Sequence, residues 1–160
     1  MPFYGWTNSK FQTVHFLIGA CHTPIDAHRI VMQQLMDKES ALASNADQTG
    51  FYIDQARDER DFLLDCKARL EAHIGFIPTS EDYQQNSAEE WKLEFMTRAE
   101  NFLLAGTGIP PQEIAVMRLH PAWPEISAHV KSTKAALLAG AELPALNAPM
   151  KEILCLTNTQ

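Results

Sequence analysis

Apolar residues along the chain recur at steps of three and four, and sustained two-residue alternation is missing. The pattern predicts helices. Asn-Gly and Asp-Gly turns do not occur, so no β-hairpin is expected. Ile25, His28, Met32, Leu35, Met36 and Leu42 fall on one stripe of an amphipathic helix that opens at Thr23-Pro24-Ile25-Asp26. Thr23 suits the N-cap and Pro24 the first helical position, and Asp26 can reach back as in a capping box. Residues 23–47 therefore read as one amphipathic helix that fades into the polar run Ser44–Gly50. Before it, residues 1–22 hold an aromatic segment, with Phe3, Tyr4 and Trp6 around Gly5, and a short helix from about Ser9 to Cys21.

A second long helix is predicted over Phe51–Gly75. Tyr52, Ile53 and Ala56 make one end amphipathic; Phe62, Leu63, Cys66, Leu70 and Ile74 do the same at the other. Between them Arg57-Asp58-Glu59-Arg60-Asp61 is polar on every side, a turn that has no core to face and is expected to meet solvent or another protein. Pro78–Asn86 reads as a connector. Ser87-Ala88-Glu89-Glu90 then has the form of a second capping box, opening a helix with Trp91, Phe95, Ala99 and Phe102 on one face and Gly106 at its end. Together 51–105 are expected to form an acidic antiparallel hairpin, the spine of the molecule.

Shorter helices follow across 106–160. One runs from Pro110-Pro111 to about Leu119, and His120-Pro121-Ala122-Trp123-Pro124 makes a rigid corner. Another places Ile126, Val130, Thr133 and Leu137 inward before Gly140, and a last apolar one spans about Ala148 to Leu156. The expected fold class is all-α: a single irregular bundle of roughly five to seven helices over 1–160, built on a central antiparallel helical hairpin.

Composition narrows the function classes. At 160 residues the chain is long enough to bury a core without disulfide or metal staples. Its net charge of −7 disfavours nucleic acid. Most of that imbalance lies in 51–105, which holds six basic and twelve acidic side chains. The longest apolar run, Phe16–Cys21, is too short to span a bilayer, so no membrane association is expected. Met1–Lys10 lacks a basic leader, and Cys21, Cys66 and Cys155 are odd in number with no CxxC; both features fit a cytoplasmic location.

Two clusters invite a metal. His15, His22, Asp26 and His28 are close in sequence, but a helix starting at Thr23-Pro24 puts His22 outside it and engages Asp26 in capping. Those histidines read as core or interfacial residues, with a ligand-binding helical sensor as the remote reading. Asp58, Asp61 and Asp65 share one helical face, and Glu90 and Glu94 share another. Converging carboxylates of this kind hold Mg²⁺ against nucleotide phosphates. Such an arrangement resembles in outline the all-α nucleotide pyrophosphohydrolases, although the paired ExxE and ExxD motifs of that family are not found. The resemblance implies an alternative activity, a Mg²⁺-dependent nucleotide (pyro)phosphohydrolase using Asp58, Asp61, Asp65, Glu90 and Glu94. Against it, Arg57/Asp61, Asp65/Arg69 and Glu94/Arg98 stand at i,i+4, the spacing of a solvated face laced with ion pairs.

Covalent chemistry finds less support. Cys21 and His22 are adjacent and diverge by about 100° on a helix, and Cys66 and His73 lie about two turns apart. Gly106-Thr107-Gly108 lacks the lysine of a phosphate-binding loop and reads as a helix C-cap. His129, Lys131 and Lys134 make only a mildly basic helix. No catalytic residue and no cofactor are assigned. The expected function is that of a non-enzymatic protein-interaction or self-associating protein: an adaptor, an assembly factor or a mobile-element accessory protein. Its candidate contact residues are Phe3, Tyr4, Trp6, Arg57, Glu59, Arg60 and Trp123, aromatic anchors and a polar turn.

Overall fold

The computed structural model describes residues 16–45, 50–144, 146 and 148–154, and every regular element among them is a helix. Residues 16–20 are helical (α1), followed by α2 (Pro24–Ser44), α3 (Phe51–Ile74), α4 (Ser80–Leu104), α5 (Pro111–Arg118), α6 (Trp123–Leu138) and α7 (Ala148–Ile153). The all-α expectation holds. The chain divides into two compact units, one drawn from Met1–Asn86 with Pro149–Gln160, the other from Ser87–Ala148.

In the first unit Thr23 caps α2 as expected. Thr23 is extended, and its Oγ1 accepts from the Asp26 amide at 3.2 Å, while the Asp26 carboxylate takes the Arg29 guanidinium at 2.9 Å. The face that α2 buries is Ala27, His28, Val31 and Leu35. Met36, expected inward, is 67% exposed, because the buried stripe passes through Ala27 and Val31 instead. From α3 come Leu63, Cys66 and Leu70, with Phe62 and Ile74 half-buried beside them, which is the face the periodicity marks. Leu17, Ile18, Cys21, Met150 and Leu154 complete this core. Removing a leucine side chain such as Leu70 from water is worth about 2 kcal/mol.

Lys38 pairs with Glu59 and His28 with Glu71, so numbering along α2 and α3 runs in opposite directions and the two helices are antiparallel. The densely packed helix pair of this unit is therefore α2 with α3, one helix earlier than the 51–105 hairpin expected from sequence. The expectation also began α4 late, at Ser87. The helix starts at Ser80, capped reciprocally: Asp82 Oδ2 accepts from the Thr79 amide at 2.8 Å, and Thr79 Oγ1 accepts from the Asp82 amide at 3.4 Å. Its residues up to Asn86 belong to the first unit and the remainder to the second.

The second unit has a smaller core of Phe95, Met96 and Ala99 from α4, Met117 from α5 and Ile126 from α6. Helix α4 closes at Gly106 in a Schellman motif: the Thr107 amide donates to Phe102 O at 3.3 Å and the Gly106 amide to Leu103 O at 3.1 Å. Gly106 has φ 75°, a left-handed conformation that a side chain would strain. Helix α6 ends the same way at Gly140, where Ala141 and Gly140 donate to Ala136 O and Leu137 O, each at 3.0 Å.

Candidate functional site

A buried polar constellation lies in the first unit. His28 is 1% exposed, and its ring is held from both sides. Nε2 lies 2.8 Å from Glu71 Oε2 on α3, and Nδ1 lies 2.8 Å from the Tyr83 hydroxyl on α4. A carboxylate only accepts, so Nε2 carries a hydrogen, and a neutral ring then receives the Tyr83 O–H at Nδ1. Lys67 Nζ reaches the same Glu71 oxygen at 2.9 Å. A second tie runs from Asn86 Nδ2 to Thr23 Oγ1 at 2.6 Å, so both turns of α4 in this unit attach to the start of α2.

Electrostatics follow from this packing. Burial alone would raise the Glu71 carboxyl, but hydrogen bonds from His28 and Lys67, with the lysine charge, outweigh it and hold the carboxyl below its usual range. Burial and the neighbouring Glu71 charge push the Tyr83 hydroxyl up. The constellation has the outline of a Tyr–His–Glu relay. Both imidazole nitrogens are nevertheless committed to protein partners, which makes it a lock between helices rather than a ligand for a metal or a base for a substrate. Sequence reasoning singled out His28 and placed it in the core, but missed Glu71 and Tyr83. Tyr83 stands alone in a polar run, and the spacing of 43 between His28 and Glu71 carries no local signal.

The other candidate residues scatter. Phe3, Tyr4, Trp6 and His15 lie outside the described residues. Arg57 pairs with Asp54 at 3.5 Å and Arg60 with Asp61 at 3.0 Å, while Glu59 engages Lys38 and so serves the α2–α3 contact. Trp123 is half-buried against the second core, with the Arg118 guanidinium carbon 5.9 Å from its ring centroid. His22 is half-buried in the turn before α2. Asp58, Asp61 and Asp65 are exposed on α3, and Asp65 accepts from Arg69 at 2.8 Å. Glu90 and Glu94 are half-buried on α4. Among the described residues, no three His, Cys, Asp or Glu side chains stand close enough to hold a metal ion. Cys21 and Cys66 are buried. Burial, helped by the Asp65 charge and opposed by Arg69, pushes the Cys66 thiol up to about 12, so it stays protonated and inert at neutral pH.

The outward face of α3 is the arrangement that remains available. Phe51 and Tyr52 are 73% and 81% exposed at its first turn, their rings edge to face with centroids 5.4 Å apart. Asp54, Asp58, Asp61 and Asp65 continue from Phe51 along one exposed stripe at three- and four-residue steps. The sequence placed Tyr52 on a core-facing end of this helix; only Ile53 and Ala56 of that end are half-buried. Among the described residues no helix is long and apolar enough to cross a membrane. Compared with protein families, curated proteins and solved structures, the chain matches none.

Proposed function

We propose that this is a non-enzymatic helical interaction protein that docks another protein on the outer face of α3. The observation that carries the reading is the solvent-exposed Phe51–Tyr52 pair at the head of an acidic stripe. Aromatic side chains supply large contact area at low entropic cost and dominate binding hot spots. Their edge-to-face packing holds the two rings against each other as one aromatic patch. Asp54, Asp61 and Asp65 are held by Arg57, Arg60 and Arg69, so Asp58 offers the charge that selects a partner with a lysine or arginine beside an apolar pocket. An adaptor or assembly role follows from such a surface.

The test is affinity capture with cross-linking, comparing the natural chain with Phe51→Ala/Tyr52→Ala and with Asp58→Lys. These side chains are exposed, so circular dichroism should be unchanged. The expected result is a partner held by the natural chain, released as salt rises, weakened by Asp58→Lys and lost with the double alanine variant. The same capture by all three proteins would remove the reading.

A further inference from the structure

The second unit carries a different kind of surface, independent of α3. Where the end of α4 meets α5 and α6, a solvent-open groove of about 560 Å³ is walled by Leu103, Ile109, Ile114, Val130, Leu137 and Leu138. That volume lies within the range of about 300–1,000 Å³ found for small-molecule sites. The chain leaves α4 along the groove through Gly106 and Gly108, both left-handed at φ 75° and 72°. All six walls are aliphatic. The Thr107 hydroxyl, in the same loop, is spent on Phe102 O at 3.2 Å and Gly108 O at 3.3 Å.

One polar side chain lines the groove. Lys134 is exposed on α6, has no acidic partner among the described residues, and stands one turn before Leu137 and Leu138. No acidic side chain joins it in the lining. A single cation without an acidic partner among the described residues, on an otherwise aliphatic wall, fits a ligand with one anionic end and a saturated body. We propose that the groove binds a medium-chain carboxylate, its alkyl chain along Leu103, Ile109 and Val130 and its carboxylate on the Lys134 ammonium.

The test is calorimetric titration of the full chain with decanoate, octanoate and decanol below their aggregation limits, with methyl NMR shifts to place the ligand. Decanoate should bind at one site and shift the Leu103 and Val130 methyls. Octanoate should bind about tenfold more weakly, from two fewer buried methylenes. Lys134→Gln should weaken decanoate about fivefold, the worth of one exposed charge contact, and leave decanol unaffected. Leu138→Asp, at a side chain 82% exposed and so without harm to folding, should abolish decanoate binding. Equal affinity for decanoate and decanol would overturn the proposal, as would no saturable heat. So would shifts outside the groove, or concentration-dependent dimerisation that fills the groove from a second copy.

Discussion

Each unit sets a histidine against a glutamate, and the two do it differently. In the first, His28 is 1% exposed and its Nε2 sits 2.8 Å from Glu71 Oε2, with a second bond to Tyr83. In the second, the His129 side chain is 25% exposed and its Nε2 lies 3.7 Å from Glu100 Oε2, with the Thr133 hydroxyl at 3.4 Å. Helices of the second unit are tied by outer ion pairs, Lys92 with Glu125 at 2.8 Å and Arg98 with Glu113 at 3.0 Å. A buried network is costly to break because its surviving members lose water as well as partners. Exposed pairs exchange one solvated state for another. The first unit should thus depend on single polar residues, and the second on its apolar core.

The largest expected effect is that of His28→Ala, which strands Glu71 and Tyr83 and should destabilise the first unit by about 3 kcal/mol. Hydrogen exchange should then accelerate across α2 and α3 while α5 and α6 keep their protection. Equal loss in both units would show that they unfold together and break the contrast.

Acid should act next. The Glu71 carboxyl is held below its unfolded value, so its contribution is complete above that value and disappears as pH falls through the folded one. Urea midpoints of the natural chain should drop on that acid limb, and Glu71→Gln should flatten it. Thr79→Ala, which removes one side of the α4 cap, should cost about 1 kcal/mol by thermal melting. The smallest effect belongs to the second unit. A double-mutant cycle on Arg98 and Glu113 should return about 0.5 kcal/mol and shrink further in high salt. A coupling as large as the His28 effect would erase the distinction.

Sequence periodicity was sufficient for most of the helices. Phe51–Gly75 matches α3 because Gly50 and Gly75 bracket a run whose Leu63, Cys66 and Leu70 recur at helical steps. Gly106 and Gly140 announced their caps for the same local reason. Two things were not legible. The start of α4 is polar, with Tyr83 its only large apolar side chain, so apolar spacing alone passed over Thr79 and Asp82. The pairing of α2 with α3, and with it the His28 lock, rests on contacts between distant positions that no window of sequence contains. For the candidate surface, composition located the acidic region 51–105, while periodicity assigned Tyr52 to the wrong side of its helix.

The first core is written in two pieces. Met150 is fully buried and Leu154 nearly so among Leu17, Val31 and Leu70, yet Ser87–Ala148 comes between them in the chain. During translation the intervening unit leaves the ribosome whole before those last two apolar groups do. It is free to fold first, while the older segment waits unsealed. A stop codon or protease cut shortly before Met150 would spare the younger unit and leave the older one with a hole in its centre, exposed to chaperones and to aggregation.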